Sequence, residues 1–261
     1  MTPRSSERDD LARLYDLDLV EDPGDIDLYL SLARRTGGPI LELAVGSGRV
    51  AVQLAAAGHD ITGVDIDPAM LTRARRHAEA AGHGTAEHLI LVEDDIETVR
   101  LTDAGSYRLA LIALNSILLL ASRGAQRGAL QTLAAHLGEG GVAAVDVWLP
   151  DADDLSRFDG RIILEYVRPQ GDSGVVVTKA ASAQHDAATQ RVTLTSIYEE
   201  SAPGAAPRRW VRTDRMRLVT ADELASFAED AGLQIEQLAG GYDLSPLGPG
   251  SDRVILIAVK P

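Results

Sequence analysis

Apolar residues along this chain recur with two periods, and the switch between them sets the expected architecture. "SSERDDLARLYDLDL" spaces Leu11, Leu14 and Tyr15 for a short helix behind a cap at Ser5 or Ser6. "DIDLYLSLARRTGG" sets Leu28, Leu30, Leu32 and Ala33 near one helical face and stops at Gly37 and Gly38. Residues 39–45 then read as a buried strand. Beyond it the pattern predicts helix "RVAVQLAAAGHD", strand "ITGVDID", helix "PAMLTRARRHAEAAG" with Pro68 in its first turn, and strands "HLILVEDD" and "YRLALIALN". "GAQRGALQTLAAHLGEGG" follows as helix and loop, and "VAAVDVWLP" as a strand. Strands alternating with helices predict a doubly wound α/β core whose parallel sheet is covered on both faces.

From residue 151 to 219 the rhythm changes. "GVVVTKAASAQ", "QRVTLTSIYEE" and "RRWVRTDRMRLV" alternate with period two and are rich in β-branched residues, with turns at Asp186-Ala187-Ala188 and Pro203-Gly204, which predicts a small antiparallel sheet. "TADELASFAEDAGL" returns to helix, with Thr220 and Glu223 spaced as a capping box, and "QIEQLA" and "RVILIAV" close the chain as strands. The expected organisation is a helical cap over 1–37, a core over 38–150 and 220–261, and an inserted sheet over 151–219 that covers the acceptor or pairs two copies as a homodimer.

Composition narrows the function. With no cysteine among 261 residues, disulfides, thiolate catalysis and cysteine-ligated metals are excluded. A formal charge of −14 argues against a nucleic-acid partner, since phosphate binding needs clustered Lys and Arg, and favours a small-molecule substrate. No apolar run is long enough to cross a bilayer and the first residues carry no greasy stretch, so no membrane partner and a cytoplasmic location are expected. The preference for arginine over lysine suits a GC-rich bacterial genome.

The candidate chemistry lies in "LELAVGSGRV". Gly46 and Gly48 form a G-x-G turn between a strand and a helix, weak evidence alone because glycine also closes turns that bind nothing. Three acids strengthen it: Glu42 just ahead of the turn, Asp65 ending the second strand, and Asp95 ending the third. Asp65 falls roughly 20 residues beyond the turn, where a carboxylate accepts ribose hydroxyls. Two ligand classes fit such a crevice, a nicotinamide or flavin dinucleotide and S-adenosylmethionine. Glu42 would repel a pyrophosphate and suits the ammonium of a methionine moiety, so the acidic frame favours the methyl donor.

On these residues the chain resembles the class I S-adenosylmethionine-dependent methyltransferases, in particular the bacterial small-molecule group. "GGPILELAVGSGRVAVQLAAAGHDITGVDIDPAML" resembles the family's first two motifs, "LILVEDDIE" the third, "YRLALIALNSILLL" the fourth, and "HLGEGGVAAVDVW" the fifth strand and its loop. "ELASFAEDAGL" and "GGYDLSPLGPGSDRVILIAVKP" resemble the C-terminal end; the resemblance is weakest over 151–219. It implies a Rossmann-like, seven-stranded, mostly parallel sheet and an enzyme of secondary metabolism that methylates N, O or C of a small metabolite, releasing S-adenosylhomocysteine. The alternative is a donor-binding protein that does not transfer methyl, and a third reading is an NAD-dependent oxidoreductase.

The resemblance also implies roles. Glu42, Gly46 and Gly48 hold the methionine end, Asp65 takes the ribose hydroxyls, Ile66 packs on the adenine with Met70 nearby, Asp95 and the Ile96 amide address the adenine edge, and the Leu114 carbonyl meets the ammonium. Tyr15 resembles a tyrosine that closes over the methionine moiety. Val45 stands where many relatives carry cysteine, and Leu119 where many carry a histidine, which removes one candidate base. Methyl transfer needs mainly alignment of the acceptor with the activated carbon, and a base only if the nucleophile arrives protonated. Asn115, Trp148 and Tyr242 are the pocket candidates, with Ser116 and Asp243 beside them.

Other motifs are weighed against plainer duties. Asp151, Asp153 and Asp154 suggest a magnesium site, but such sites also need an acid where this chain has Asn115, so no metal is expected and cap duty is the plainer account. His136 reads as a structural helix-end residue; His59, His83 and His88 fall in predicted turns and His185 at a hairpin top. The arginines of "RRWVRTDRMR" suit either recognition of an acidic substrate or the wet face of an edge strand.

Overall fold

The computed structural model describes residues 5–20, 23–82 and 84–261. Its centre is a seven-stranded sheet built from β1 (Ile40–Leu43), β2 (Ile61–Asp65), β3 (Leu89–Glu93), β4 (Tyr107–Ile112), β5 (Leu137–Trp148), β10 (Gln234–Ala239) and β11 (Arg253–Val259). The strand order is β10-β11-β5-β4-β1-β2-β3. β1 to β5 run parallel, and β11 is antiparallel to both its neighbours. The chain winds outward from β1 through β2 to β3 and then returns to β4 on the other side of β1. A crevice therefore opens at the carboxyl ends of β1 and β4, where helices leave in opposite directions.

Both faces are covered. On one, α2 (Ile26–Thr36) and α3 (Arg49–Ala56) bury Leu28, Tyr29, Val50 and Leu54 against Ile40, Leu109 and Ile255. On the other, α5 (Arg123–His136) and α7 (Ala221–Asp230) bury Leu130, Leu133, Leu224 and Phe227 against Leu41, Tyr107 and Val145. α4 (Pro68–Ala81) follows β2, capped by Asp67, whose carboxylate accepts from the Ala69 N–H at 2.9 Å, with Pro68 opening the first turn as expected. α7 begins at Thr220, whose hydroxyl accepts from the Glu223 N–H, but the reciprocal half of the predicted capping box is replaced: the Glu223 carboxylate accepts from Arg217 at 2.8 Å.

The segment read as a loop, "LGEGG", is instead the start of β5. Glycine makes this pairing feasible, because a Cβ on Gly138 or Gly141 would come within 2.9 Å of the carbonyl oxygens of Gly105 and Tyr107. The pairing slips here, from Tyr107 opposite Leu137 to Leu109 opposite Val142.

The second sheet is antiparallel and has four strands rather than the three expected: β6 (Asp159–Pro169), β7 (Val176–Asp186), β8 (Arg191–Ser201) and β9 (Arg208–Arg217), in that order. β6 eluded the pattern because Ile162, Ile163 and Leu164 are consecutive apolar residues, without period-two alternation, and all three are exposed. A short helix, α6 (Ala152–Arg157), precedes it.

The N-terminal α1 (Ser5–Tyr15) bridges the two sheets. The predicted cap at Ser5 or Ser6 involves side chains outside the described set, as does His83. Leu14 packs with Val177, Tyr198 and Trp210 of the second sheet, while Ala12 and Tyr15 pack with Ala69 and Met70 of α4. Immediately after α1, in the turn Asp16–Leu19, Asp18 accepts from Tyr166 Oη at 2.9 Å, Tyr198 Oη at 2.7 Å and Lys179 Nζ at 2.8 Å. Asp16 is paired with Arg73 of α4.

Candidate active site

The turn from β1 to α3 carries three residues at positive φ: Ala44 (61°), Gly46 (55°) and Gly48 (84°). The two glycines serve different ends. A Cβ on Gly48 would sit 3.0 Å from Ala74 Cβ and 3.1 Å from Val52, so this glycine lets α3 start against α4. Gly46 meets nothing within 4 Å and leaves its backbone open to the crevice. Its N–H donates to Asp65 Oδ2 at 2.8 Å, and Asp65 Oδ1 accepts from the Asp67 N–H at 2.9 Å. Asp65 therefore clamps the turn to the end of β2. Burial pushes its carboxyl pKa up, while these N–H groups pull the other way. Val45 packs directly on β2, since even a Cβ at Gly63 would meet its methyl at 2.7 Å.

Glu42 is 3% exposed, and its Oε2 has no hydrogen-bond partner among the described residues. Burial pushes its pKa up to about 8; the nearby Arg49 opposes this, and Asp25 and Asp65 add to it. Arg49 is turned away, giving both arms of its fork to the buried Asp25 at 2.5 and 2.6 Å. An unpartnered buried carboxylate beside an open glycine turn is costly unless a ligand donor meets it.

The crevice widens into a cavity of about 520 Å³, within the range of small-molecule sites. α1 contributes Arg8, Leu11, Ala12 and Tyr15; the ends of β1 and β2 contribute Ala44, Gly46, Asp65, Ile66 and Asp67, and the first turn of α4 contributes Met70. Ser116 and Leu119 enter from the turn after β4, and Arg212 from β9. Ile66 and Leu119 are 68% and 46% exposed, bare apolar faces suited to a flat ring. A narrow extension reaches Glu42, Ser47, Arg49 and Leu114, with Tyr15, Ala44, Gly46 and Ser116 shared between the two spaces.

Thus Tyr15, Gly46, Asp65, Ile66 and Met70 come together around the cavity, and Glu42 and Leu114 join them in its extension. Other expected residues are engaged elsewhere. Asp95 lies two residues beyond β3, with its carboxylate accepting from the Glu97 N–H at 2.9 Å, and Ile96 is buried in the core. The Asn115 side-chain oxygen accepts from the Trp148 N–H, the Trp148 ring lies 5.9 Å from that of Phe158, and Tyr242 Oη donates to Asp146 at 3.0 Å. None of these five lines the cavity or its extension. Ser116 lines both spaces, and Asp243 accepts from the Ser245 N–H.

The three pocket candidates belong to a buried hub that sequence reasoning missed. Asp146 on β5 is fully buried and accepts from Tyr29 Oη, Tyr242 Oη and the Leu114 N–H, the last at 2.7 Å. Leu114 and Asn115 both have positive φ (50° and 63°), a strained turn for non-glycine residues that Asp146 and the Trp148 N–H hold in place. One acid inside the apolar run "VAAVDVW" was the available signal.

The aspartates of α6 form a capping box, Asp151 with Asp154, and no cluster suited to a metal occurs among the described residues. His136 is buried and ties α5 to the loop before β4, with Nε2 accepting from the Leu101 N–H. His88 meets Asp60 at the surface, and His185 Nε2 is buried without a partner among the described residues.

Residues 40–141 match the sequence model of a family described as a methyltransferase domain. Over that stretch, which holds the glycine turn, Glu42, Asp65 and the first four strands, the chain is similar to a methyltransferase domain. No curated protein matches the sequence of this chain. Its fold is shared with solved structures: the CcbJ methyltransferase from Streptomyces caelestis (23% identity, 94% of this chain and 98% of that one, TM-score 0.74) and Streptomyces venezuelae DesVI (20% identity, both chains covered in full, TM-score 0.75). A third is CalS10 from Micromonospora echinaspora, an amino pentose methyltransferase solved with the donor bound (17% identity, 100% and 98% coverage, TM-score 0.68). S-adenosylmethionine fits the residues present: a cationic ligand answers the orphaned Glu42 oxygen, and the open backbone at Gly46 admits close approach.

Proposed function

We propose that this methyltransferase transfers the methyl group to N, O or C of a small metabolite of secondary metabolism, with the second sheet and α1 roofing the acceptor. The observation that carries this is the cavity itself, about 520 Å³, within the range of small-molecule sites and bordered by four residues of α1 and by Arg212 of β9. When bound, S-adenosylmethionine supplies a methyl carbon activated by its sulfonium. Glu42 receives the ammonium, Asp65 the ribose hydroxyls, and Ile66 with Met70 packs on the adenine. The Leu114–Asn115 turn, held by Asp146, presents its carbonyl to the methionine end, and Tyr15 closes over it.

Among the described residues the lining includes no histidine or lysine, and Asp65 and Asp67 are both engaged by backbone N–H groups. Catalysis in this reading is alignment in a site that excludes water, which suits an amine arriving unprotonated. Asp65→Ala should weaken S-adenosylhomocysteine binding about tenfold or more in a calorimetric titration, and should slow methyl transfer to candidate amines and alcohols in step. Unchanged affinity in that variant would remove the ribose assignment and with it this placement of the donor.

A further inference from the structure

The arginines bordering the cavity are not equally satisfied. Arg49 is doubly bonded to Asp25, Arg73 is paired with Asp16, Arg13 with Glu200, and Arg208 with Asp10. Most of the "RRWVRTDRMR" strand is likewise spent on local pairs, Arg209 with Glu199 and Arg217 with Glu223. Two guanidiniums that line the cavity differ. Arg8 shares a helical face with Leu11, Ala12 and Tyr15, is half-buried, and has neither hydrogen bond nor ion pair with any described residue. Arg212 engages Asp214 through Nε alone, at 2.9 Å, and lies over the Tyr15 ring at 5.4 Å, so both of its terminal nitrogens lack partners among the described residues.

In a chain of net charge −14, acids to neutralise these groups are plentiful, yet among the described residues none pairs with Arg8, and Arg212 meets Asp214 through its Nε edge alone, leaving the two terminal nitrogens to the cavity. A partly buried, unsatisfied cation is unfavourable unless a ligand supplies the anion. The donor brings two cations, its sulfonium and the ammonium that Glu42 receives, and a single carboxylate. Arg212 enters from β9, outside the turns that hold the donor, and sits on the cavity with Leu119 and Ser116. Resting on the reading of the site given above, we propose that Arg8 and Arg212 form a receptor for an anionic group, phosphate or carboxylate, carried by the methyl acceptor. The planar fork of each arginine suits the paired oxygens of either anion, and binding there fixes the far end of the acceptor while its nucleophile lies near the donor.

The test is a calorimetric titration of inorganic pyrophosphate, and separately of succinate, into protein saturated with S-adenosylhomocysteine at low ionic strength. One-to-one binding of at least one of them is expected, weakened about tenfold or more in Arg8→Gln and in Arg212→Gln, with partial recovery in Arg8→Lys. The affinity of each variant for S-adenosylhomocysteine should stay within about twofold of the parent. Which probe binds tells phosphate from carboxylate. Absence of binding to the parent by both probes, or equal binding by parent and variants, overturns the proposal. So does a loss of S-adenosylhomocysteine affinity in Arg8→Gln with pyrophosphate binding intact, since Arg8 then serves the donor's carboxylate. If the parent fails to bind S-adenosylhomocysteine at all, the donor reading fails on its own, and the same titrations on the ligand-free protein still decide the anion site.

Discussion

At Glu42 a single carboxylate is buried in strand β1 with one oxygen unmet, and its pKa is pushed up to about 8. The folded protein thus holds a proton that the unfolded chain releases near the ordinary value of 4.5, so this group costs stability increasingly as pH rises through that interval. Glu42→Gln should therefore melt about 5 °C above the parent at pH 8.5 and level with it at pH 4.5, in a scanning calorimeter. The same residue should make donor binding pH-dependent in the opposite sense. An ammonium favours the ionised carboxylate, so donor affinity should rise with pH up to about 8 in the parent and stay flat in Glu42→Gln. Equal slopes in the two proteins would place the ammonium elsewhere. Glu42 and Asp65 were legible because an acid next to a glycine turn, or at the end of a parallel strand, carries a local mark. Arg212 lies in the arginine-rich strand "RRWVRTDRMR", whose composition left acid recognition and a wet edge both open, and Arg8 carries no local mark, since its meaning comes from a partner it lacks among the described residues.

Among the elements, α1 and the turn after it decide whether the cavity has a roof. Groups from elsewhere converge on this piece, among them Tyr166, Tyr198 and Lys179 at Asp18, and Arg73 at Asp16. Lys179 is itself buried and also pairs with Glu165 at 2.8 Å. Asp18→Ala leaves two tyrosine hydroxyls and half a buried ion pair unsatisfied, which should cost about 3 kcal/mol. Faster amide hydrogen exchange over residues 5–19 and weaker S-adenosylhomocysteine binding should follow together. If exchange quickens while affinity holds, α1 is no lid for the donor. The helical spacing of Leu11, Leu14 and Tyr15 foretold the helix; its seat between two sheets depends on residues far along the chain, as does the strand in "LGEGG", which forms because Gly138 and Gly141 pass close to the carbonyls of Gly105 and Tyr107.

On the scale of the whole molecule, the second sheet ends in β6, an edge strand with Ile162, Ile163 and Leu164 each more than 60% exposed and Val167 beside them. A long apolar edge with unpaired backbone groups invites another strand, and in a two-fold arrangement the same edge meets itself. Light scattering of the purified protein should therefore give the mass of a homodimer, and Ile163→Lys with Leu164→Lys should return it to a monomer. A monomeric parent would leave β6 as a bare edge.

The sequence by itself determined the alternating core, the glycine turn and the acids beside it, because period, turn chemistry and strand-end position are local properties that neighbouring residues impose. Only the tertiary structure decided that Asp146 holds the Leu114–Asn115 turn, that Asn115, Trp148 and Tyr242 serve that crossing instead of lining the cavity, and that α1 and β9 meet above the donor turn. These pairings join residues from about thirty to two hundred positions apart, and whether a polar group there is satisfied or left for a ligand depends on burial and distance, which no local pattern encodes.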